Sequence, residues 1–250
     1  TYGDEMAATG GYLRARNIAK GQMLSDTQNP DAHSSDVQES AEGSKLAEED
    51  SFATFIKSAD ADSFEQEDTY YRWRYDTALD TELLLANLQA RYEKSPGNIQ
   101  RKKGNGYVDE KPEKLGMVTG LTAVKRTTGG VMTELLIEGT EDSYRVCGEQ
   151  NIRYVLAGEN TKIVLGADYG KEGSINGMLP SSFFVIEPVY EADDGISTEK
   201  AKKAPVVISY TLYGGGFGHG IGMSQNAARR MAQAGYDYKQ ILQFFYDCEW

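Results

Sequence analysis

The 250-residue chain carries 38 acidic against 26 basic side chains, for a formal net charge of −12, and has 40% hydrophobic residues. That balance excludes nucleic acid as a partner, because binding it needs a basic face to neutralise phosphates, and no apolar run approaches the roughly 18 residues that cross a bilayer. The length is enough to bury a core without a staple, and Cys147 and Cys248, lacking CxxC spacing and neighbouring histidines, give zinc no support and leave a disulfide open.

The chain opens TYGDEMAATGGYLRAR, with neither an initiator Met nor a basic-then-apolar leader, so any secretory signal is expected to have been removed. Residues 11–24 place Tyr12, Leu13, Ile18, Met23 and Leu24 in a loose helical spacing. From Ser25 to Ser51 large apolar residues nearly vanish in favour of Ser, Asp, Glu and Gly, the texture of an exposed loop or insertion, and His33 within it reads as a solvated side chain. SFATFIKS then forms a short apolar patch, and YYRWRY, Tyr70 to Tyr75, is strand-like.

A helix follows. Asp80 is placed to cap it, Glu82 suits the positive end of its dipole, and Leu84, Leu88 and Tyr92 recur at four-residue spacing on a face suited to packing on a sheet. From Gly116 the pattern becomes β, with apolar and β-branched residues on both sides of Thr127-Thr128-Gly129-Gly130, a hairpin whose glycines supply positive φ. SYRVCGEQNIRYVLAG, TKIVLG, SSFFVIEPVYE and APVVISYTLYG are further β-prone runs, with the charged insert DDGISTEKAKK between the last two.

The last β run leads into GGGFGHGIGMSQ, Gly214 to Gln225, after which the code is helical. Ser224 is placed to cap NAARRMAQA, with Ala227, Ala228, Met231 and Ala232 as its buried stripe and Gly235 as its stop. Asp237 and Gln240 make a capping box opening YKQILQFFYD, where Ile241, Leu242 and Phe245 share a face, so the chain closes on a helical hairpin expected to pack against the β region. The fold class is therefore α+β: a β-rich centre of mainly antiparallel strands, flanking helices and a C-terminal helical hairpin.

The glycine loop is the chemically unusual stretch. A phosphate loop would carry Lys-Ser or Lys-Thr after its last glycine, and a dinucleotide fingerprint would be followed by a parallel strand; this chain has neither. A metal site needs more ligands than His219, so no metal and no cofactor is expected. Ser224 as a nucleophile competes with its complete explanation as a cap. Two readings stay open: a glycine-rich turn around a satisfied histidine, and a recognition loop whose backbone approaches a ligand closely with His219 as its most capable side chain.

The stretch from Gly214 to Trp250 closely resembles the carboxy-terminal signature of the stage II sporulation protein D family, also called the amidase-enhancer family: G-x-G-x-G-H-G-x-G-M-S-Q-x-G-A, then M-A, a glycine and two short helices. Asn226-Ala227 stands where many members have an aromatic-Gly pair. Three upstream echoes come in the family's order: YYRWRY resembles its R-W segment, AVKRTTGGVMTELLIEG its Arg-to-Gly hairpin, and GSINGMLPSSFFVI its Leu-x-Ser-x-x-Phe strand entry. Together they divide the chain into an N-terminal helix and acidic polar insertion (1–69) and a glycan-binding region (70–250), β-rich over 107–213 and ending in the loop and two helices over 214–250, the whole read as one compact domain.

The resemblance implies work on bacterial peptidoglycan outside the cytoplasm. The expected partners are glycan strands and a cell-wall amidase, and the expected activity is that of a lytic transglycosylase or of a non-catalytic module that stimulates the amidase. Transglycosylation needs one carboxylic acid, since the sugar's own hydroxyl closes the anhydro ring. In one register Glu5-Met6 matches the opening of the family's acid-bearing segment, and LRARNIA its continuation. In the other, favoured register TYGDEM…GYLRARNI falls on a later family stretch, and the acid is expected upstream of Thr1. Glycan contacts are expected from Gly218, His219, Gly220, Ser224 and Gln225, with Arg72, Trp73 and Arg74 lining the groove or forming a structural cation–π stack.

Overall fold

The computed structural model describes residues 46–58, 63–191 and 206–246; Glu5, the expected helix over 11–24, His33 and Cys248 lie outside them. Helix α1 (Glu49–Lys57) comes first, and Phe52 and Ile56, one turn apart, are buried against Val185. The SFATFIKS patch is thus the inward stripe of a helix. Strand β1 (Trp73–Thr77) leads to helix α2 (Thr81–Lys94), where Asp80 Oδ1 accepts the N–H groups of Glu82 and Leu83 at 2.9 and 3.2 Å, and Leu84 and Leu88 are buried.

Strands β2 (Ile99–Lys103), β3 (Gly106–Val108), β4 (Val118–Arg126), β5 (Met132–Gly139) and β6 (Ser143–Cys147) come next. The expected β4–β5 hairpin forms, with Gly130 at φ 88° donating its N–H to the Thr127 carbonyl at 2.9 Å. The run SYRVCGEQNIRYVLAG is strand only in its first part, because Glu149–Val155 is helix α3. Gly148 at φ 88° turns the chain out of β6, the Asn151 amide donates back to the Cys147 carbonyl at 2.7 Å, and Glu149 pairs with Arg153 one turn on at 3.1 Å. Ile152 and Val155, which favour β on propensity, are buried on the inner side of that helix, so packing overrides propensity. Strands β7 (Thr161–Leu165), β8 (Lys171–Ile175), β9 (Phe184–Tyr190) and β10 (Val207–Gly214) and helices α4 (Gln225–Gln233) and α5 (Tyr238–Phe245) complete the order.

Among the described residues all strand pairings are antiparallel, in two five-stranded sheets ordered β8-β7-β1-β10-β9 and β3-β2-β6-β5-β4. One apolar core joins them: Trp73, Phe184, Tyr210 and Leu212 of the first sheet meet Met132, Leu135, Ile137, Tyr144 and Val146 of the second, with Leu88 and Ile152 from the helices. The α4–α5 hairpin has the expected caps, Ser224 accepting from Ala227 N–H and Asp237 and Gln240 closing a reciprocal box, and Gly235 at φ 98° ends α4. It does not feed the sheet core. Ala227, Met231, Tyr236, Ile241 and Phe245 form a separate cluster around Phe64.

Arg126, buried at the end of β4, links the edges of both sheets to α1. Its guanidinium donates to the Phe184 carbonyl at 2.8 Å and the Gly130 carbonyl at 3.0 Å, forks onto Glu49 at 2.6 and 2.8 Å, and lies 4.0 Å from the Phe52 ring centroid. Lysine cannot reproduce that planar fork. Arg126→Lys is therefore expected to lower unfolding free energy by roughly 2–3 kcal/mol, through carbonyls left unsatisfied, read as a lower urea midpoint at unchanged slope.

Candidate functional site

The glycine loop begins inside a sheet. Gly214 closes β10, in register with Trp73 of β1 on one side and Phe184 of β9 on the other, and a Cβ at Gly214 would overlap the Trp73 indole. Gly215 donates its N–H to the Phe183 carbonyl at 3.0 Å and accepts the Ser181 hydroxyl at 2.7 Å. Gly216 donates to the Tyr70 carbonyl at 2.7 Å and Gly218 to the Pro180 carbonyl at 2.9 Å. Farther along, Gly220 lies on Val131 of the β4–β5 turn, so closely that a Cβ would overlap the valine methyl. YYRWRY, LPSSFF, the TTGGV turn and the glycine loop, scattered over about 150 positions of sequence, therefore meet at one place.

Beyond these anchors the loop stands in solvent. Gly216, Gly218, Gly220 and Gly222 all have positive φ, with one residue between each pair. Of those intervening residues Phe217 is 65% exposed, Ile221 is 36% exposed and His219 is exposed as well. The Phe217 ring leans on Tyr70, centroids 4.8 Å apart. His219 Nδ1 accepts the Ile221 N–H at 2.9 Å, which fixes that nitrogen as an acceptor and leaves Nε2 to carry the proton of the neutral ring. Gln225 is exposed at the first turn of α4, beside the half-buried Ser224.

Gly218, His219, Gly220, Ser224 and Gln225 thus share one loop, whereas the R-W-R segment does not line a groove with them. Trp73 is 0% exposed, packed on Phe184 at 5.7 Å and on Gly214, because its indole fills the centre of the core. Arg72 is buried with its guanidinium over the Tyr71 and Phe55 rings at 4.2 and 5.3 Å. Arg74 pairs with Asp76 at 3.0 Å and approaches the Tyr169 ring at 6.0 Å. These residues support the loop from behind through stacking and register. Burial pushes the Cys147 thiol up, which suppresses its nucleophilicity. Among the described residues no group of three or more His, Cys, Asp and Glu side chains is arranged to hold a metal ion, and no helix is long and apolar enough to cross a membrane.

Sequence reasoning does not single out Glu65, yet the fold brings it to the loop. Its Oε1 accepts the Ser224 hydroxyl, and Ser224 Oγ in turn caps α4 through the Ala227 N–H at 3.3 Å. Arg230, one helical turn farther on, is engaged by Glu67 at 2.9 Å and Asp68 at 2.6 Å. Burial raises the Glu65 carboxyl above its ordinary value and nearby Asp68 adds to the rise, while the Ser224 hydrogen bond and the charge of Arg230 work against it. The only sequence signal is a carboxylate directly after a large aromatic residue, Phe64, in an otherwise polar run.

The chain belongs to the family described as "Domain of unknown function (DUF8618)", which matches residues 18–222. A second similarity is more particular and much shorter: 37 residues, 15% of this chain, are 57% identical to the "Amidase enhancer" of Bacillus subtilis (strain 168). The chain spans 5% of that protein's length. No solved structure matches the chain.

The raised Glu65 group makes a signed prediction. Between its ordinary value near 4.5 and its higher folded value the native state binds more protons than the unfolded chain, so stability present at low pH is lost as pH rises through that window. Glu65→Gln, whose amide oxygen still accepts from Ser224, should flatten this descent in urea unfolding series run from about pH 4 to pH 8. A descent as steep as in the wild type would assign it to other groups.

Proposed function

We propose that the protein acts outside the bacterial cytoplasm on the glycan strands of peptidoglycan, as a lytic transglycosylase that cleaves strands stripped of their stem peptides. One observation carries this reading: four separated motifs that resemble those of one wall-remodelling family converge to hold a single solvent-exposed arc, Phe217 to Gly222. The arc suits a sugar. Its glycines allow close approach of the backbone, Phe217 with Tyr70 offers an aromatic face for a pyranose ring, and His219 offers Nε2 as a hydrogen-bond donor. Trp73 and Arg72 support the arc without touching the ligand.

A second reading is favoured by the name of the relative matched over 37 residues, an amidase enhancer: the arc binds glycan without cleaving it and stimulates a cell-wall amidase. The two readings separate on incubation of the protein with peptide-free glycan strands, followed by mass spectrometry. New anhydro-muramyl ends support cleavage; retained binding with no new ends supports the amidase-stimulating module. His219→Ala, a change on an exposed loop, is expected to weaken binding to these strands by about 3- to 10-fold, the loss of one hydrogen bond, with folding intact. Wild-type binding by that variant would remove His219 from the glycan contacts.

A further inference from the structure

The outer face of the first sheet is covered only in part. Helix α1 rests on its β9–β10 side, with Phe52 and Ile56 against Val185. Beyond the helix the outward residues follow the register: Arg74 and Asp76 of β1 stand opposite Tyr213 and Thr211 of β10, and Arg74 opposite Val164 of β7. Asp76 is exposed, as are Lys162 and Glu172 farther out on β7 and β8. The β7–β8 turn borders this open face and sets the Tyr169 ring edge-on to Tyr213, with centroids 6.1 Å apart.

Tyr169 occupies a position that disfavours it. Its φ is 55°, in the left-handed region that a bulky side chain resists. The turn has no room to relax, because Gly166 donates its N–H to the Thr69 and Arg72 carbonyls at 3.2 and 2.9 Å and its own carbonyl accepts the Tyr169 N–H at 3.1 Å. Asp168 Oδ1 closes the far side by accepting the Gly170 N–H at 3.0 Å. Glycine would follow this path without strain, as it does at Gly166 with φ 94°. Core packing does not account for the ring either, since Tyr169 belongs to none of the three apolar clusters.

We infer that Tyr169 and Tyr213 form a second saccharide platform, on which a neutral sugar ring of the glycan strand stacks while its hydroxyls meet the Arg74–Asp76 pair; this rests on the glycan-binding reading above, with or without cleavage. An edge-to-face pair uses one face of one ring and leaves tyrosine surface for the apolar face of a sugar. Beside the rings the polar groups are already aligned. The Arg74 guanidinium lies 6.0 Å from the Tyr169 centroid, its Nε donates to Asp76 Oδ2 at 3.0 Å, and Asp76 Oδ1 accepts the Thr211 hydroxyl at 2.8 Å. An apolar wall with a few placed donors and acceptors is the composition of a small-ligand site. Charge sets the ligand class: Lys57, which approaches the Tyr213 ring at 5.5 Å, is matched by Glu187, and Arg74 by Asp76. Neither an anion nor a further cation gains an unpaired partner there, and a neutral polyhydroxylated ring fits. No residue of the Phe217–Gly222 arc takes part in this platform.

The experiment measures binding of peptide-free glycan strands alongside urea unfolding. Tyr169→Gly should weaken strand binding by about threefold or more, the worth of one aromatic contact. Its urea midpoint should equal or exceed that of the wild type, because the left-handed strain leaves with the ring; a midpoint well below the wild type's makes Tyr169 a structural residue and overturns the inference. Tyr169→Phe keeps the ring and should bind like the wild type, whereas a loss as large as that of Tyr169→Gly overturns stacking. A Tyr169→Gly loss smaller than about threefold overturns the platform and leaves the arc as the glycan site. A wild-type protein that binds no strands overturns both readings. If Tyr169→Gly fails to fold, Arg74→Gln decides: a loss of about threefold or more is expected from the missing hydrogen bonds, and unchanged binding overturns the inference. A concentration-dependent dimer that Tyr169→Gly dissolves, with strand binding intact, gives the face to a second copy of the chain and overturns it as well.

Discussion

The contact on which the site depends is that of the Trp73 indole with Gly214. A tryptophan at 0% exposure in a central strand needs space from the strand beside it, and the register supplies it by pairing Trp73 with the one residue type that has no side chain. The same glycine is the last residue of β10, so the point where the core is most tightly filled is also where the chain leaves the sheet. The loop starts from a position set by packing, and its first amides are received by the Phe183 and Tyr70 carbonyls on either side. Arg126 does comparable work across the second seam, holding α1, the β4–β5 turn and β9 in one arrangement, so the floor under Gly220 and the wall beside Gly215 are parts of one frame.

Much of this was legible in the sequence wherever the information is local. Asp80, Ser224, Gly235 and the Asp237–Gln240 box act as caps or stops because capping depends on residues within a few positions of one another. The β4–β5 hairpin and the late strands are legible for the same reason. Helix α3 is not, because Ile152 and Val155 favour a strand on propensity and only the Gly148 turn and the buried face reverse that preference. The roles of Arg72 and Trp73 are ambiguous from composition, since a tryptophan between arginines suits a sugar platform and a core strand equally. Glu65 is the clearest gap. Its relation to Ser224 spans 159 positions and carries no periodic or spacing signal, so only the folded chain displays it.

The helical hairpin also gains meaning from its independence. Its apolar residues pack on Phe64 and not on the sheets, so the two ends of the loop rest on different supports: Gly214 in the main core, Ser224 in the smaller cluster. Segment 63–72 is common to both, contributing Phe64 to one and leading into Trp73 in the other. That short segment thus touches the loop near both of its ends, at Phe217 through Tyr70 and at Ser224 through Glu65.

The alternation of glycines along the arc has a further consequence. Because Gly216, Gly218, Gly220 and Gly222 take backbone angles that side chains resist, those four positions carry the turns of the chain's path. Of the residues set between them, His219 alone ties the arc's backbone, through Nδ1 and the Ile221 N–H, while the Phe217 ring leans on Tyr70. Geometry and chemistry are thus written largely in alternate letters. A lineage could retune what the arc touches at Phe217 and Ile221, whose side chains hold no backbone hydrogen bond, while its contour stayed the same.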